Sequence, residues 1–213
     1  MIAGIRHFNQ THSVHLNRIY SEFEASAASF KREAVCGSGC SFCCTGIGPV
    51  DITTMEGMVI LERILTPPKP MQRIVQERLR KNIRAKLHGK ESRCSFLQEN
   101  DLCMIYDIRP FICRGLYSLK KCGKDQGAVI HVEANTLQKE AIRKLQTLDA
   151  NGYSGHIGFI IELLMDRSFR NFYASGGFDP VQIMEYGKQR RLVINRMASN
   201  HDIRNGHESA NAR

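Results

Sequence analysis

All eight cysteines of this chain lie between residues 36 and 122, and that confinement restricts what the sequence can fold into more than any other feature. Four of them, Cys36, Cys40, Cys43 and Cys44, fall within the glycine-rich stretch VCGSGCSFCCTGIGPV. The other four, Cys94, Cys103, Cys113 and Cys122, are spaced by eight or nine intervening residues, and positions 123–213 carry none. A scatter of buried thiols acting as small hydrophobes would seldom leave both ends of a chain empty. The simplest expectation is that the loop at 36–48 and the segment at 94–122 close on each other around metal.

Adjacent cysteines such as Cys43 and Cys44 bond each other only through a strained ring, which argues against a disulfide framework. Coordination is less awkward. The C-x2-C step from Cys40 to Cys43 can place two sulfurs on one metal, and Gly37, Gly39, Gly46 and Gly48 permit the positive φ angles such loops need. Cys44 can complete the same site, ligate a second centre or serve as a buried structural thiol. Four thiolates around zinc or around a 4Fe–4S core in its 2+ state leave a net charge of about −2 to be offset. In DIRPFICRG, Arg109 and Arg114 flank Cys113, where guanidinium groups can donate to sulfur, so both are expected to support the bound group.

The series C-x3-C-x2-C-C, followed by RCSFLQENDLCMIYDIRPFICRGLYS and a last cysteine at 122, resembles the YkgJ-like cysteine-cluster family, a zinc- or iron-chelating domain with a CxxxCxxCC motif and eight characteristic cysteines. Each of the eight has a counterpart here. Ser95 stands where the family pattern has proline, a departure in a turn rather than in a ligand. The resemblance implies a metal-chelating domain with Cys36, Cys40, Cys43, Cys44, Cys94, Cys103, Cys113 and Cys122 as its metal residues. It implies no particular reaction.

Spacing does not separate zinc from iron–sulfur, because both use four-cysteine sites. The dense first loop favours a 4Fe–4S cube, since a single tetrahedral ion usually draws its ligands from two separated pairs. Electron transfer and iron or redox sensing are the roles such a centre would serve. Two alternatives compete. Cys36-x3-Cys40-x-Phe42-Cys43 also matches the cysteine loop of radical S-adenosylmethionine enzymes, but residues 14–34 read as helix where that loop should follow a strand. The other alternative is a structural zinc module with a basic helix that binds nucleic acid or an acidic partner.

Composition sets the frame: 213 residues with 42% hydrophobic and 24% charged content are enough for one ordinary domain with a real core. The expectation is a single cysteine-cluster domain over 1–199 with a helical C-terminal half, and a flexible tail at 200–213. The amino-terminal stretch lacks a signal-like apolar core and GFIIELLM is far too short for a membrane span, so the sequence predicts a cytoplasmic protein with no membrane partner. A formal net charge of +9 is concentrated locally, because residues 69–93 hold nine Lys or Arg against two Glu. That segment is the candidate for a polyanion or an acidic protein.

Thr53 and Glu56 have capping-box spacing, predicting a helix from 54 to about 65 that LTPPKP ends. Met71, Val75, Leu79, Ile83 and Leu87 mark the buried stripe of a second helix. Ala134, Leu137, Ala141, Leu145 and Leu148 mark a third, and a fourth is expected over 156–174. Asp179 and Pro180 open a last one in DPVQIMEYGKQRRLVINRM. Strand alternation is scarce, with GAVIHVE at 127–133 the best candidate. The predicted fold is mostly α, a helical shell around a cysteine-rich metal-binding loop core. No histidine pair is joined to the cysteines with zinc-finger spacing, and His12 and His15 read as a solvent-exposed pair.

Overall fold

A computed structural model describes residues 2–37, 39–45, 50–123 and 126–197. The fold is mostly helical. A long first helix, α1 (Ile2–Lys31), is followed by a single turn, α2 (Phe42–Thr45), then β1 (Asp51–Thr53), α3 (Thr54–Leu65) and α4 (Lys69–Leu87). Beyond a 3₁₀ turn at Tyr106–Ile108 come α5 (Phe111–Gly115), α6 (Val132–Leu148), β2 (Tyr153–His156), α7 (Ile157–Met165), α8 (Arg167–Ala174), α9 (Met184–Arg190) and β3 (Val193–Ile194).

The centre of the molecule is α3, which packs on α1 and on α7. Its capping box forms as the sequence predicts, with Glu56 N–H donating to Thr53 Oγ1 at 3.2 Å and Thr53 N–H donating to the Glu56 carboxylate at 2.9 Å. Gly57 sets the approach of α7, because a Cβ there would stand 2.7 Å from Ile160 and 2.8 Å from Leu164. Met58, Ile60, Leu61, Ile160 and Leu164 are wholly buried at this contact. No helix among the described residues is long and apolar enough to cross a membrane.

The helix over Lys69–Leu87 exists, but its buried face is not the predicted stripe. Val75, Leu79 and Ile83 are buried, whereas Met71 and Leu87 at the ends are exposed, and the polar Gln72 and Asn82 take buried places. The reason is hydrogen bonding. Gln72 Nε2 donates to the carbonyls of Leu65 and Pro67, both at 2.8 Å, and Asn82 Nδ2 donates to Ser92 Oγ and to the Arg93 carbonyl.

Three further expectations are corrected. Residues 127–131 form no strand, and Val132 already opens α6; the stretch is tied instead to Ser118 and Leu119 by single bonds at Val129. The small sheet is antiparallel, ordered β1-β2-β3, with Asp51 opposite His156 and Tyr153 opposite Ile194. The helix expected over 156–174 divides at Asp166, whose extended backbone and side chain, accepting from Phe169 N–H at 2.7 Å, start α8 afresh while Arg170 caps the Leu164 carbonyl. Asp179 caps only a turn, accepting from the N–H groups of Val181 and Gln182, and α9 is short because Arg191 leaves the helix at φ 54° and hands the chain to β3. The tail at 200–213 and Gly46 and Gly48 lie outside the described residues.

Candidate metal centre

The two cysteine segments meet. Cys94 N–H donates to the Cys44 carbonyl at 2.7 Å, and Val35 N–H donates to the Ser118 carbonyl at 2.9 Å, so the first loop is tied to both parts of the second segment. Between these ties the first loop turns at Gly39, whose φ of +82° is the left-handed conformation that glycine supplies. A single helical turn then carries Cys43 and Cys44, with Cys44 N–H donating to the Ser41 carbonyl at 2.8 Å.

The second segment is a compact hairpin followed by a bend. Leu97 pairs with Cys103, and Asp101 turns the tip at φ 61°. Cys94 and Cys103 both pack against the hydrophobic core, with the buried Phe96 and Ile105 beside them in sequence. Pro110 opens α5, and Cys113 N–H donates back to the Pro110 carbonyl at 3.0 Å. Cys36 and Cys40 are exposed, while the other six cysteines are half-buried.

The mutual electrostatics sort the thiols into two neighbourhoods. Burial pushes the Cys113 thiol well up, and repulsion from Cys94, Cys43 and Cys103 adds to it. Cys94 is raised by burial and then by Cys103 and Cys43. Cys103 is raised by burial, against which the Arg109 guanidinium lowers it. Cys43 is lowered, first by the thiol hydrogen bond with Cys44 and more weakly by Arg109, and Cys44 is raised by that same bond. Cys36 belongs elsewhere: burial raises it, a bond from Ser118 backbone opposes, and its sulfur neighbours are Cys40, Cys122 and Cys43. Electrostatic coupling thus links Cys43, Cys44, Cys94, Cys103 and Cys113, the inner thiols, and links Cys36 with Cys40, Cys122 and Cys43, of which Cys36, Cys40 and Cys122 are the outer thiols.

The two arginines have separate tasks. Arg109 stacks over the Tyr106 ring at 4.0 Å and lies beside Cys43 and Cys103, and its buried Nε has no hydrogen-bond partner among the described residues. Arg114 is engaged with backbone: its Nε donates to the Arg109 carbonyl at 2.9 Å and its NH2 group to the Asp107 carbonyl at 3.1 Å, with the guanidinium over Tyr20. Arg114 thus shapes the bend that presents Arg109.

Glu56 is a positioning residue that capping-box spacing did not reveal in full. Beyond Thr53, its carboxylate accepts from Tyr20 O–H at 2.8 Å and Phe111 N–H at 2.7 Å, joining α1, α3 and the start of α5 beneath Cys113. His156 is another. It is 8% exposed, its Nδ1 accepts from Gly158 N–H at 3.2 Å, and burial together with the Lys86 charge lowers it to about 4, so the ring is neutral. His12, by contrast, stacks on Phe8 and bonds the Phe8 carbonyl, serving α1 alone.

Among the described residues, no three Cys, His, Asp or Glu side chains stand as a closed ligand shell. Cys43, Cys44 and Cys113 lie on short helical turns, and the other five cysteines lie outside helices. The donor set nevertheless suits a thiophilic metal or an iron–sulfur group, because soft sulfur ligands dominate and Arg109 Nε is a buried donor that no described residue receives.

A helical scaffold carrying this cysteine cluster defines a metal-chelating protein. Residues 35–145 match the CxxCxxCC family model, described as "Putative zinc- or iron-chelating domain", and the chain belongs to that family. The match extends past the last cysteine through most of α6. No curated protein and no solved structure shows significant similarity to the chain.

Proposed function

We propose that the inner thiols, Cys43, Cys44, Cys94, Cys103 and Cys113, hold an iron–sulfur cluster of the 4Fe–4S kind, and that the protein serves electron transfer or iron or redox sensing in the cytoplasm. The observation that carries this reading is the gathering of five thiols from two distant segments beside the unpartnered Nε of Arg109. A single zinc ion takes four ligands, whereas a cube spreads its ligands over several irons and presents sulfides that accept hydrogen bonds from groups such as Arg109. When bound, the cluster would supply a one-electron couple. The chain's own residues would set its surroundings: Arg109 as a cation and donor against the sulfur atoms, Arg114 as the clamp of the 107–109 bend, and Glu56 as the anchor of α5. Cys36, Cys40 and Cys122 would complete the site or hold a second ion. Reduced thiols in this number suit a reducing compartment.

Anaerobic purification with metal analysis, acid-labile sulfide and a visible spectrum tests the reading. Several irons per chain, matching sulfide and broad visible absorption support it. A colourless protein with one or two zinc ions per chain removes it and leaves the structural zinc module.

A second reading concerns α4, whose solvent face would engage a polyanion or an acidic protein across residues 69–93. It is favoured by sparse local neutralisation, since Arg80 and Arg84 share the one carboxylate of Glu77.

A further inference from the structure

The side of α4 turned away from the core carries a stripe of cations. Val75, Leu79 and Ile83 are buried where α4 packs on α3 and α7, whereas Arg73, Arg80, Lys81 and Arg84 are exposed. At about 3.6 residues per turn these four fall within about 100° of the helix circumference, away from the buried positions, and span about 16 Å of its axis. Arg80 and Arg84 share the Glu77 carboxylate at 3.3 and 3.7 Å, and Arg73 and Lys81 form no ion pair among the described residues. Four cations against one carboxylate leave the stripe a net charge of +3.

Other cations of the segment are engaged within the protein. Lys69 donates to Gln72 at 3.4 Å, Arg78 donates to the Leu97 carbonyl at 3.4 Å, and Arg93 pairs with Asp101 at 3.2 Å. The exposed apolar side chains of α4, Met71, Ile74 and Leu87, lie toward its two ends and form no continuous face of the kind that a protein anchor or a membrane needs. No residue of α4 is aromatic, so the helix offers nothing on which unpaired bases would stack. What it offers is closely placed positive charge. Three of the four cations are guanidinium groups, whose forked N–H donors match phosphate oxygens.

We infer that the stripe of Arg73, Arg80, Lys81 and Arg84 binds the phosphate backbone of double-stranded nucleic acid, independently of base sequence. The site rests on the polyanion reading of α4 and narrows it to one partner. A duplex carries one charge per about 1.7 Å of its axis, so about 16 Å of helix lies against about ten phosphates, more than enough to meet every cation of the stripe. Four phosphate contacts release counterions to a slope of log affinity against log salt of about −3.6. Contacts of this kind fix a protein on a duplex and carry no sequence information.

Fluorescence anisotropy of a labelled DNA duplex of about 20 base pairs, titrated with the protein as purified at several salt concentrations, tests the site. The expected result is binding indifferent to the sequence of the duplex, with a salt slope of about −3 to −4. Arg73→Gln with Lys81→Gln should weaken binding by roughly tenfold or more at low salt and bring the slope to about −2. Lys139→Gln with Arg143→Gln, an equal loss of charge from exposed places on α6, should bind as the unaltered protein does. Circular dichroism and metal content are measured on each variant. Absence of duplex binding while heparin still retains the protein overturns the duplex site and leaves the polyanion reading intact, whereas absence of both removes both. Equal weakening in the two double variants overturns the site as well. So does tighter binding to a single strand of the same length, to polyglutamate or to vesicles rich in phosphatidylserine.

Discussion

The backbone N–H of Cys94 donates to the carbonyl of Cys44 at 2.7 Å, and this one bond joins the two cysteine segments at their cores. It makes the adjacent pair Cys43 and Cys44 the hinge of the cluster, with Cys94, Cys103 and Cys113 on one side and Cys36, Cys40 and Cys122 on the other.

Serine at Cys94 or Cys113 should therefore remove most of the bound metal and lower thermal stability, because binding energy in such sites is folding energy. Serine at Cys40, in the exposed outer group, should retain at least half of the metal. Metal and sulfide per chain, measured on anaerobically purified variants, check the ranking. Equal loss from all three variants would show that the thiols act as one set.

Arg109→Met should leave the fold in place while lowering metal affinity by roughly 10–100-fold, the range found when a group supporting metal ligands is lost. Arg114→Met should act on the bend instead, weakening stability and metal retention together. Competition with a chelator, read beside urea unfolding, separates the two.

The Glu56 carboxylate accepts from Tyr20, Phe111 and Thr53 in a buried place. Glu56→Gln keeps the size but turns one acceptor into a donor, leaving a buried donor unmet at a cost of about 1.5–3 kcal/mol. Tyr20→Phe, which removes a single partner, should cost about 1 kcal/mol. Urea denaturation midpoints check both values.

Burial raises the Asp149 carboxyl from 3.8 to about 7, against bonds from the Tyr173 hydroxyl and Met55 N–H that hold it down. An acid whose folded pKa lies above its unfolded value binds more protons when folded, so this group's contribution is most favourable below about pH 4. It is lost as pH rises to about 7, by roughly 4 kcal/mol at most, and is flat beyond. The stability advantage of the unaltered protein over Asp149→Asn should thus be greater at pH 5 than at pH 8. Equal differences at both pH values would contradict a raised carboxyl.

Reversing charge in Lys81→Glu with Arg84→Glu should leave metal content unchanged and bring forward elution from heparin, since phosphate- and sulfate-type contacts weaken with each lost cation. Unaltered retention at low salt would remove the polyanion reading of α4.

The cysteine pattern and the local signals were enough to establish the family, the mostly helical class and the start of α3, because each depends on residues close in sequence: motif spacing, a capping box, a four-residue apolar period. Where side-chain hydrogen bonds to the backbone compete with such signals, the sequence misleads. Asp166 and Asp179 both read as helix-compatible, yet one breaks a helix and the other caps only a turn, since each side chain is taken up by nearby N–H groups. The Gln72 and Asn82 places on α4 went to polar residues because carbonyls of the loops flanking that helix needed donors. The candidate site divides in the same way. That the segment carrying Cys36, Cys40, Cys43 and Cys44 meets the one carrying Cys94, Cys103, Cys113 and Cys122 was legible from the confinement of the cysteines, whereas which thiols lie near one another, the different surroundings of Arg109 and Arg114, and the placing of Glu56 and His156 were decided by the tertiary fold. Those depend on which surfaces α1, α3, α4 and α7 bring together, and burial and hydrogen bonding between distant segments leave no periodic trace in the chain.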